Sequence, residues 1–351
     1  MTRKLYLLPL IAMLAIASVL PAAAQNKRMR VYGVMYYNLE NLFDSINNNG
    51  KYDFEFSPQG KNRWDGKRYK QKIHNMAYAI SRMNTKTTPE GPSIIGVSEI
   101  ENKSVLLDLV ADPQIADKGY KVIHHDSPDR RGIDVSLLYN PKDFRPLTIT
   151  NHALRIDSMP WFRTRDQMCV VGLLGGKRVG VIVNHWPSRR GGSEQSFFLR
   201  KAAAELTKSI ADSLLRIDPN MGIIMMGDLN DSPYDKSMTE VLKARKDTKE
   251  TAQGEFFNPF WKLLDKGIGS YIYRGKWNLF DQIVVNYNLV NNPDCGIKFI
   301  SARVCNEEFL KQQEGKYKGY PHRTFSEGAY IGGYSDHFPT EIFLGIEAHG
   351  K

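Results

Sequence analysis

Val179-Gly180-Val181-Ile182-Val183 runs straight into Asn184-His185-Trp186. Five successive apolar residues leave no polar face, so the segment has to be covered on both sides. It is too short for an ordinary helix and rich in β-branched side chains, which makes it a buried strand. Such strands belong to sheets enclosed by other layers. An amide and an imidazole stand where this one ends.

The same grammar recurs in both directions. Residues 31–37, 93–97, 135–139, 168–173, 222–226 and 282–285 read as further strands, short, apolar and bounded by turn residues. Helical periodicity separates them. Over 69–83, Ile73, Met76, Ala77, Ile80 and Met83 fall on one face. A second helix starts at Ser104. A third spans 193–215 with Ser193 as its N-cap and Phe197, Phe198, Ala202, Leu206, Ile210 and Leu214 inward. Strands and helices alternating in this way make an α/β sandwich.

The 351 residues are 42% hydrophobic and 25% charged, which excludes a disordered chain. Three Cys and no Cys-x-x-Cys exclude a disulfide scaffold and a zinc knuckle. Lys and Arg total 48 against 38 acids, a formal +10 that favours an anionic partner. Residues 1–24 read as a signal peptide: Arg3 and Lys4, an apolar stretch, then Ala22-Ala23-Ala24. A membrane anchor is the competing reading, and Pro21 with the triple alanine favours cleavage. No repeat or linker divides residues 25–351, which are expected to form one domain, exported to the periplasm or beyond, with no stable membrane anchor after cleavage. Export permits disulfides, and Cys295 and Cys305 either bridge locally or stay reduced. Cys169 reads as a buried strand residue.

Chemistry collects where strands end. Asn38-Leu39-Glu40-Asn41 follows the first strand, Ser98-Glu99 the second, and Gly227-Asp228-Leu229-Asn230 the run at 222–226. Asp281 opens a later strand, and Ser335-Asp336-His337-Phe338-Pro339 lies near the C-terminus. Carboxylate and amide oxygens suit a hard cation: Mg²⁺ first, with Mn²⁺ and Ca²⁺ the other ions such donors accept. Glu99 is the best single ligand, an isolated acid closing an apolar strand. Asp228 and Asn230 are two apart and point to one side on extended backbone, and Gly227 leaves room for close approach. Asp336 and His337 place an imidazole near a carboxylate, where it can move a proton. Each motif alone is commonly a turn or a solvated end. Six in one chain are a pattern.

Taken together these motifs resemble the endonuclease/exonuclease/phosphatase superfamily, in the right order over nearly the whole chain after the leader. The resemblance implies a four-layer sandwich, two mixed β-sheets face to face with helices outside, and metal-dependent hydrolysis of phosphoesters. It implies that Glu99 is the principal metal ligand, with Asn38, Glu40 and Asp336 lining the metal site. Asp228 would orient the attacking water and Asn230 hold a phosphate oxygen. His185 and His337 would flank the phosphate, with Asp281 paired to His337. Asn-x-Glu stands here where many relatives have Asn-x-Asp, so Glu40 departs from the pattern. Arg165 resembles a phosphate-contacting arginine of the deoxyribonuclease branch or is a plain solvated one. Asp134 either orients His185 or is a strand-edge acid. Arg189 and Arg190 are further candidates for binding substrate phosphates.

Two substrate classes fit this chemistry. The charge and the basic pairs Lys67-Arg68, Arg189-Arg190, Arg274 with Lys276 and Lys316 with Lys318 favour nucleic acid, cut with little sequence specificity. Trp186 and Trp277 would then stack on bases or pack inside. The alternative is a phosphatase or phosphodiesterase acting on inositol phosphates, sphingomyelin or another small phosphoester. No apolar hairpin suited to lipid is evident, and Lys316, Lys318, His322 and Arg323 put basic charge before the last motif. A catalytically dead binding protein is a third class, and it would need a lost ligand.

Overall fold

The computed structural model describes residues 29–47 and 53–348. The signal peptide expected over 1–24 lies outside the described residues. The strands are β1 Met29–Leu42, β2 Ile94–Ile100, β3 Lys121–His124, β4 Asp134–Tyr139, β5 Phe144–His152, β6 Gln167–Leu174, β7 Lys177–His185, β8 Gly222–Asp228 and β9 Ala244–Arg245. The remaining strands are β10 Phe256–Phe257, β11 Tyr271–Tyr273, β12 Lys276–Asn278, β13 Asp281–Asn286, β14 Lys298–Val304, β15 Phe325–Ser326, β16 Ala329–Tyr330 and β17 Thr340–Glu347. The α-helices are α1 Gly66–Ser81, α2 Lys103–Ala111, α3 Phe197–Ile217, α4 Phe260–Asp265 and α5 Asn288–Asn291.

Two large mixed sheets carry the fold, ordered β14-β17-β1-β2-β4-β3 and β5-β6-β7-β8-β13-β10-β9. Each has a parallel pair at its centre, β1 with β2 and β7 with β8, and the second sheet has a further short one, β9 with β10, at its edge. Their inner faces close on each other: a Cβ on Gly96 of β2 would strike Met226 Sδ of β8 at 2.3 Å. The valine run that announced the fold is the heart of β7, where Val179, Val181, Ile182 and Val183 are all fully buried. Val181 and Val183 face the other sheet, while Ile182 joins Ala203, Ala204, Ile210, Ala211 and Leu214 of α3. Helices α1 and α2 cover the first sheet, which completes the expected four layers.

Two local expectations are corrected. Helix α3 begins at Phe197, and Ser193 does not cap it; Ser196 stands at the N-cap position with no side-chain cap. Its buried face is Arg200, Ala203, Ala204, Thr207, Ile210, Ala211 and Leu214, which leaves Phe198 exposed. Arg200 can face inward because Asp231 accepts from its Nε at 2.7 Å. The three cysteines are free and buried, so Cys295 and Cys305 form no bridge. Among the described residues no helix is long and apolar enough to cross a membrane.

Candidate active site

Strands β1 and β2 run in register until Asn38 faces Ser98, and then both slip. In the slipped segments Glu40, Asn41 and Glu99 take positive φ of 47°, 52° and 60°. Non-glycine residues seldom do so. A bulge of this kind re-aims a side chain beside a functional site. Here it turns Glu99 out of the strand alternation, so that Asn41 N–H donates to its Oε2 at 3.1 Å. Arg131 Nη1 and Nη2 then contact its two oxygens at 3.3 and 3.2 Å.

The second sheet brings its groups to the same end by register. His185 pairs with Asp228 across β7 and β8, and Asp281 pairs with Asp228 across β8 and β13. A Cβ on Gly227 would meet Asn184 O at 2.4 Å, so only glycine lets the chains close here. Asn38 Nδ2 donates to Asp228 Oδ2 at 3.2 Å and joins the two sheets. Asp228 Oδ1 accepts from Asn230 N–H at 3.0 Å, and Asn230 Nδ2 donates to Trp186 O at 3.0 Å.

The C-terminal motif closes over these ends. Ser335 Oγ donates to Asn38 O at 2.6 Å. His337 Nδ1 lies 2.7 Å from Asp281 Oδ2, which also accepts from Ser270 Oγ at 2.5 Å. Tyr271 stacks on the imidazole, with ring centroids 4.6 Å apart. This leaves His337 Nε2 3.9 Å from Asp336 Oδ1 and 4.0 Å from Asp228 Oδ2. His185 Nε2 reaches Asp228 at 3.6 Å and Glu99 at 3.9 Å.

Burial and charge set these groups apart. Burial pushes Asp228 up to about 7, against the pull of His337. Burial lowers His337, but the charge and hydrogen bond of Asp281 outweigh it and hold the imidazole protonated, well above its ordinary value. His185 goes the other way: burial, then Arg165 and Arg131, keep it neutral. One site thus holds an imidazolium and a neutral imidazole, the pairing that proton transfer needs.

Asn38, Glu99, His185, Asp228, Asn230, Asp281, Asp336 and His337 converge; other expectations change. Glu40 is buried, and its oxygens accept from Arg323 Nε at 3.2 Å and Thr324 N–H at 2.7 Å, with Lys72 Nζ at 3.8 Å. It is a counter-charge to Lys72 and Arg323, with its oxygens already engaged. Burial and Asp336 still raise its carboxyl to about 7. Arg165 is neither solvated nor a surface phosphate contact. Its Nε and Nη2 donate to the carbonyls of His185 and Trp186 at 3.2 and 2.7 Å, and Nη1 to Asp129 at 3.1 Å. Arg189 is likewise committed inside, to Asn230 O at 2.7 Å, Asp231 at 2.9 Å and Asp235 at 2.5 Å. Arg190 alone of the three is exposed. Asp134 binds Ser127 Oγ at 2.6 Å and does not touch His185, whose Nδ1 has no partner. Trp186 is buried, its Nε1 donating to Asn184 at 3.2 Å, and Trp277 stacks on Phe338. Trp186 is therefore no base-stacking platform. The sequence did not mark Arg131, Lys72, Ser270 or Tyr271, which reach the site from loops, a short strand and a helix with no local signal.

The donor set fits a hard divalent ion. Asp228, Asp281 and His337 bring ligand atoms within 4.8 Å of one another, but His337 Nδ1 and Asp281 Oδ2 already face each other at 2.7 Å. The oxygens left are those of Asp228, Glu99 and Asp336. Glu99 and Asp336 are now balanced by the guanidinium groups of Arg131 and Arg323, the latter at 3.0 Å from Asp336. Acids gathered this closely and answered only by surrounding cations are suited to a metal.

The model of the Endonuclease/Exonuclease/phosphatase family matches residues 33–346. No curated protein matches the chain. Among solved structures, an endonuclease/exonuclease/phosphatase family protein from Bacteroides thetaiotaomicron is 16% identical, with 92% of this chain and 100% of that one covered at a TM-score of 0.56. The mannosyl-6-phosphatase of the same organism is 17% identical, with 89% and 99% covered at 0.53. The human Nocturnin catalytic domain with bound sulfate anion is 12% identical, with 90% and 95% covered at 0.55. At these identities the likeness speaks for the fold.

Proposed function

Because the chain belongs to the endonuclease/exonuclease/phosphatase family, whose members hydrolyse phosphoesters with divalent metals, we propose that it is an exported hydrolase of this kind, dependent on Mg²⁺. The observation that carries the reading is the Asp281–His337 dyad, 2.7 Å apart, aimed at the buried Asp228. Glu99 and Asp336 would hold the ion. When bound, it polarises a phosphate oxygen and stabilises the charge that builds there.

The chain's own groups do the rest. Asp228, raised to about 7 by burial, accepts the proton of an attacking water near neutrality. His337, charged and held by Asp281, donates to a non-bridging or leaving oxygen. Asn230, anchored through its backbone to Asp228 and Arg189, fixes the opposite edge of the phosphate. His185 stays neutral beside them.

A small phosphoester is the substrate class best supported. Trp186 is buried and Arg165 and Arg189 are engaged inside, which removes three features on which a nucleic-acid reading would draw. Nucleic acid is the second reading, favoured by the excess of Lys and Arg over acids, which persists without the leader, and by the exposed Lys67, Arg190, Arg274 and Lys276. Export rests on the leader-like residues 1–24. The deciding assay incubates purified protein with p-nitrophenyl phosphate, sugar phosphates, inositol polyphosphates, sphingomyelin, plasmid DNA and RNA, with Mg²⁺ or with EDTA. Turnover of a small ester that EDTA abolishes is expected. Chelator-resistant turnover, or cleavage of nucleic acid alone, overturns the metal reading or the substrate preference respectively.

A further inference from the structure

A cavity of about 680 Å³ opens beside His337, with Asp336, Arg323 and Tyr271 on the side of the catalytic cluster. Its size is that of a pocket for a compact ligand. Two hairpins contribute to its rim. The first joins β11 to β12 through Arg274-Gly275, and the second joins β15 to β16 through Glu327-Gly328. Both connections are two-residue turns with positive φ throughout: 49° and 78° in one, 50° and 82° in the other. Asparagine or glycine is the favoured first residue of such a turn. Here each turn instead carries a charged residue in the left-handed conformation, and both residues line the cavity. Non-glycine strain of this sort gathers at ligand clamps.

The walls have a definite chemistry. Tyr271, Tyr273, Tyr317 and Tyr320 line the cavity with aromatic side chains. Arg274 lies over the Tyr273 ring, its Cζ 5.2 Å from the centroid, within reach of a cation–π attraction. Lys316 lies 5.0 Å from the Tyr317 centroid. The acids are answered: Glu327 is 3.4 Å from Lys316 and accepts from Tyr317 at 2.7 Å, and Asp336 is held by Arg323. Among the described residues Arg274 has no ion-pair partner, so the rim away from the dyad keeps an unbalanced positive charge.

We propose that this cavity receives the group esterified to the phosphate, and that the group is a ring bearing a second anion directed at Arg274. The ring lies on the tyrosine faces while the scissile phosphate meets His337. This rests on the phosphoester reading above and narrows it to ring-containing bisphosphates or their equivalents. A sugar and a nucleoside satisfy the same chemistry.

The test is calorimetric titration of the full protein in EDTA, so that nothing turns over, with glucose 1,6-bisphosphate and with adenosine 3′,5′-bisphosphate. At least one should bind, and the arm that binds identifies the ring. Arg274→Asn removes the charge while supplying a residue the turn prefers, and Tyr273→Ala removes a wall. Each should weaken binding about tenfold, the first through a lost charge-assisted contact and the second through lost apolar contact. Binding of neither compound by the wild type, or unchanged affinity in both variants, overturns the proposal. Turnover of p-nitrophenyl phosphate with Mg²⁺, read separately, judges the hydrolase reading by itself.

Discussion

Both carboxylate oxygens of Glu99 rest against the guanidinium of Arg131, at 3.3 and 3.2 Å, although the two residues are 32 apart in sequence. A hard ion held by Glu99 must compete with that cation. Glu99→Gln should therefore weaken Mg²⁺ affinity tenfold or more, the order seen when a metal site loses one of its supporting groups. Arg131→Ala should tighten Mg²⁺ several-fold, because the internal competitor is gone. Calorimetric Mg²⁺ titration separates the two. Unchanged affinity in both variants would move the ion away from Glu99.

The dyad makes a second prediction. His337→Ala should lower kcat by roughly 10² or more, the usual contribution of a placed acid or base. Asp281→Asn keeps the shape but removes the charge that raises His337, so the imidazole titrates at lower pH. If the imidazolium is the working form, the alkaline limb of the kcat profile moves toward acid. The two residues act as a unit, so the double variant should lose much less than the product of the single losses. Multiplicative losses across the pH range would separate Asp281 from His337, and His185 would become the histidine to study.

How much of the fold and the site is legible in the sequence depends on where the physics is local. Strands β7 and β8 declare themselves because both faces are apolar. Strand β5 does not, since Leu147 and Ile149 are exposed on an edge. Strand β17 is hidden by Thr340 and Glu341, polar residues that the fold nonetheless buries completely. Site acids standing at strand ends can be read in order. Arg131, Lys72 and Tyr271 cannot, because each meets its partner only through tertiary folding. Arg165 and Arg189 mislead for a related reason: nothing local tells an arginine committed to three acceptors from a free one.

The structural role of Arg165 can be tested. It holds the carbonyls of His185 and Trp186 and neutralises Asp129, with both charged side chains nearly buried. Removing one partner of such a pair costs about 3–5 kcal/mol, because the other charge stays buried and unpaired. Arg165→Ala should lower the thermal midpoint by several degrees and reduce kcat through the loosened His185 turn. Arg165→Lys should recover little, since one ammonium cannot span three acceptors. A raised KM with an unchanged midpoint would restore Arg165 as a phosphate contact.

The last prediction concerns Glu341, fully buried in β17 with Arg303 donating to its Oε2 at 2.8 and 2.6 Å. Its Oε1 has no hydrogen-bond partner. Burial outweighs Arg303 and raises the carboxyl from 4.5 to about 7. The folded protein therefore keeps a proton that the unfolded chain releases. Below pH 4.5 both states carry it and stability is at its full value; between 4.5 and about 7 the unfolded chain loses it first, and stability falls. Above about 7 the loss is complete and the curve flattens. Glu341→Gln cannot titrate, so whatever its absolute stability, the drop between pH 5 and pH 8 should shrink by roughly 1–3 kcal/mol. Urea unfolding in EDTA at the two pH values measures the difference. Glu40 and Asp228 are raised in the same way and stay in the variant, so the slope should diminish without vanishing. An equal drop in both proteins would show that Arg303 keeps Glu341 ionised throughout, with the salt bridge prevailing over burial.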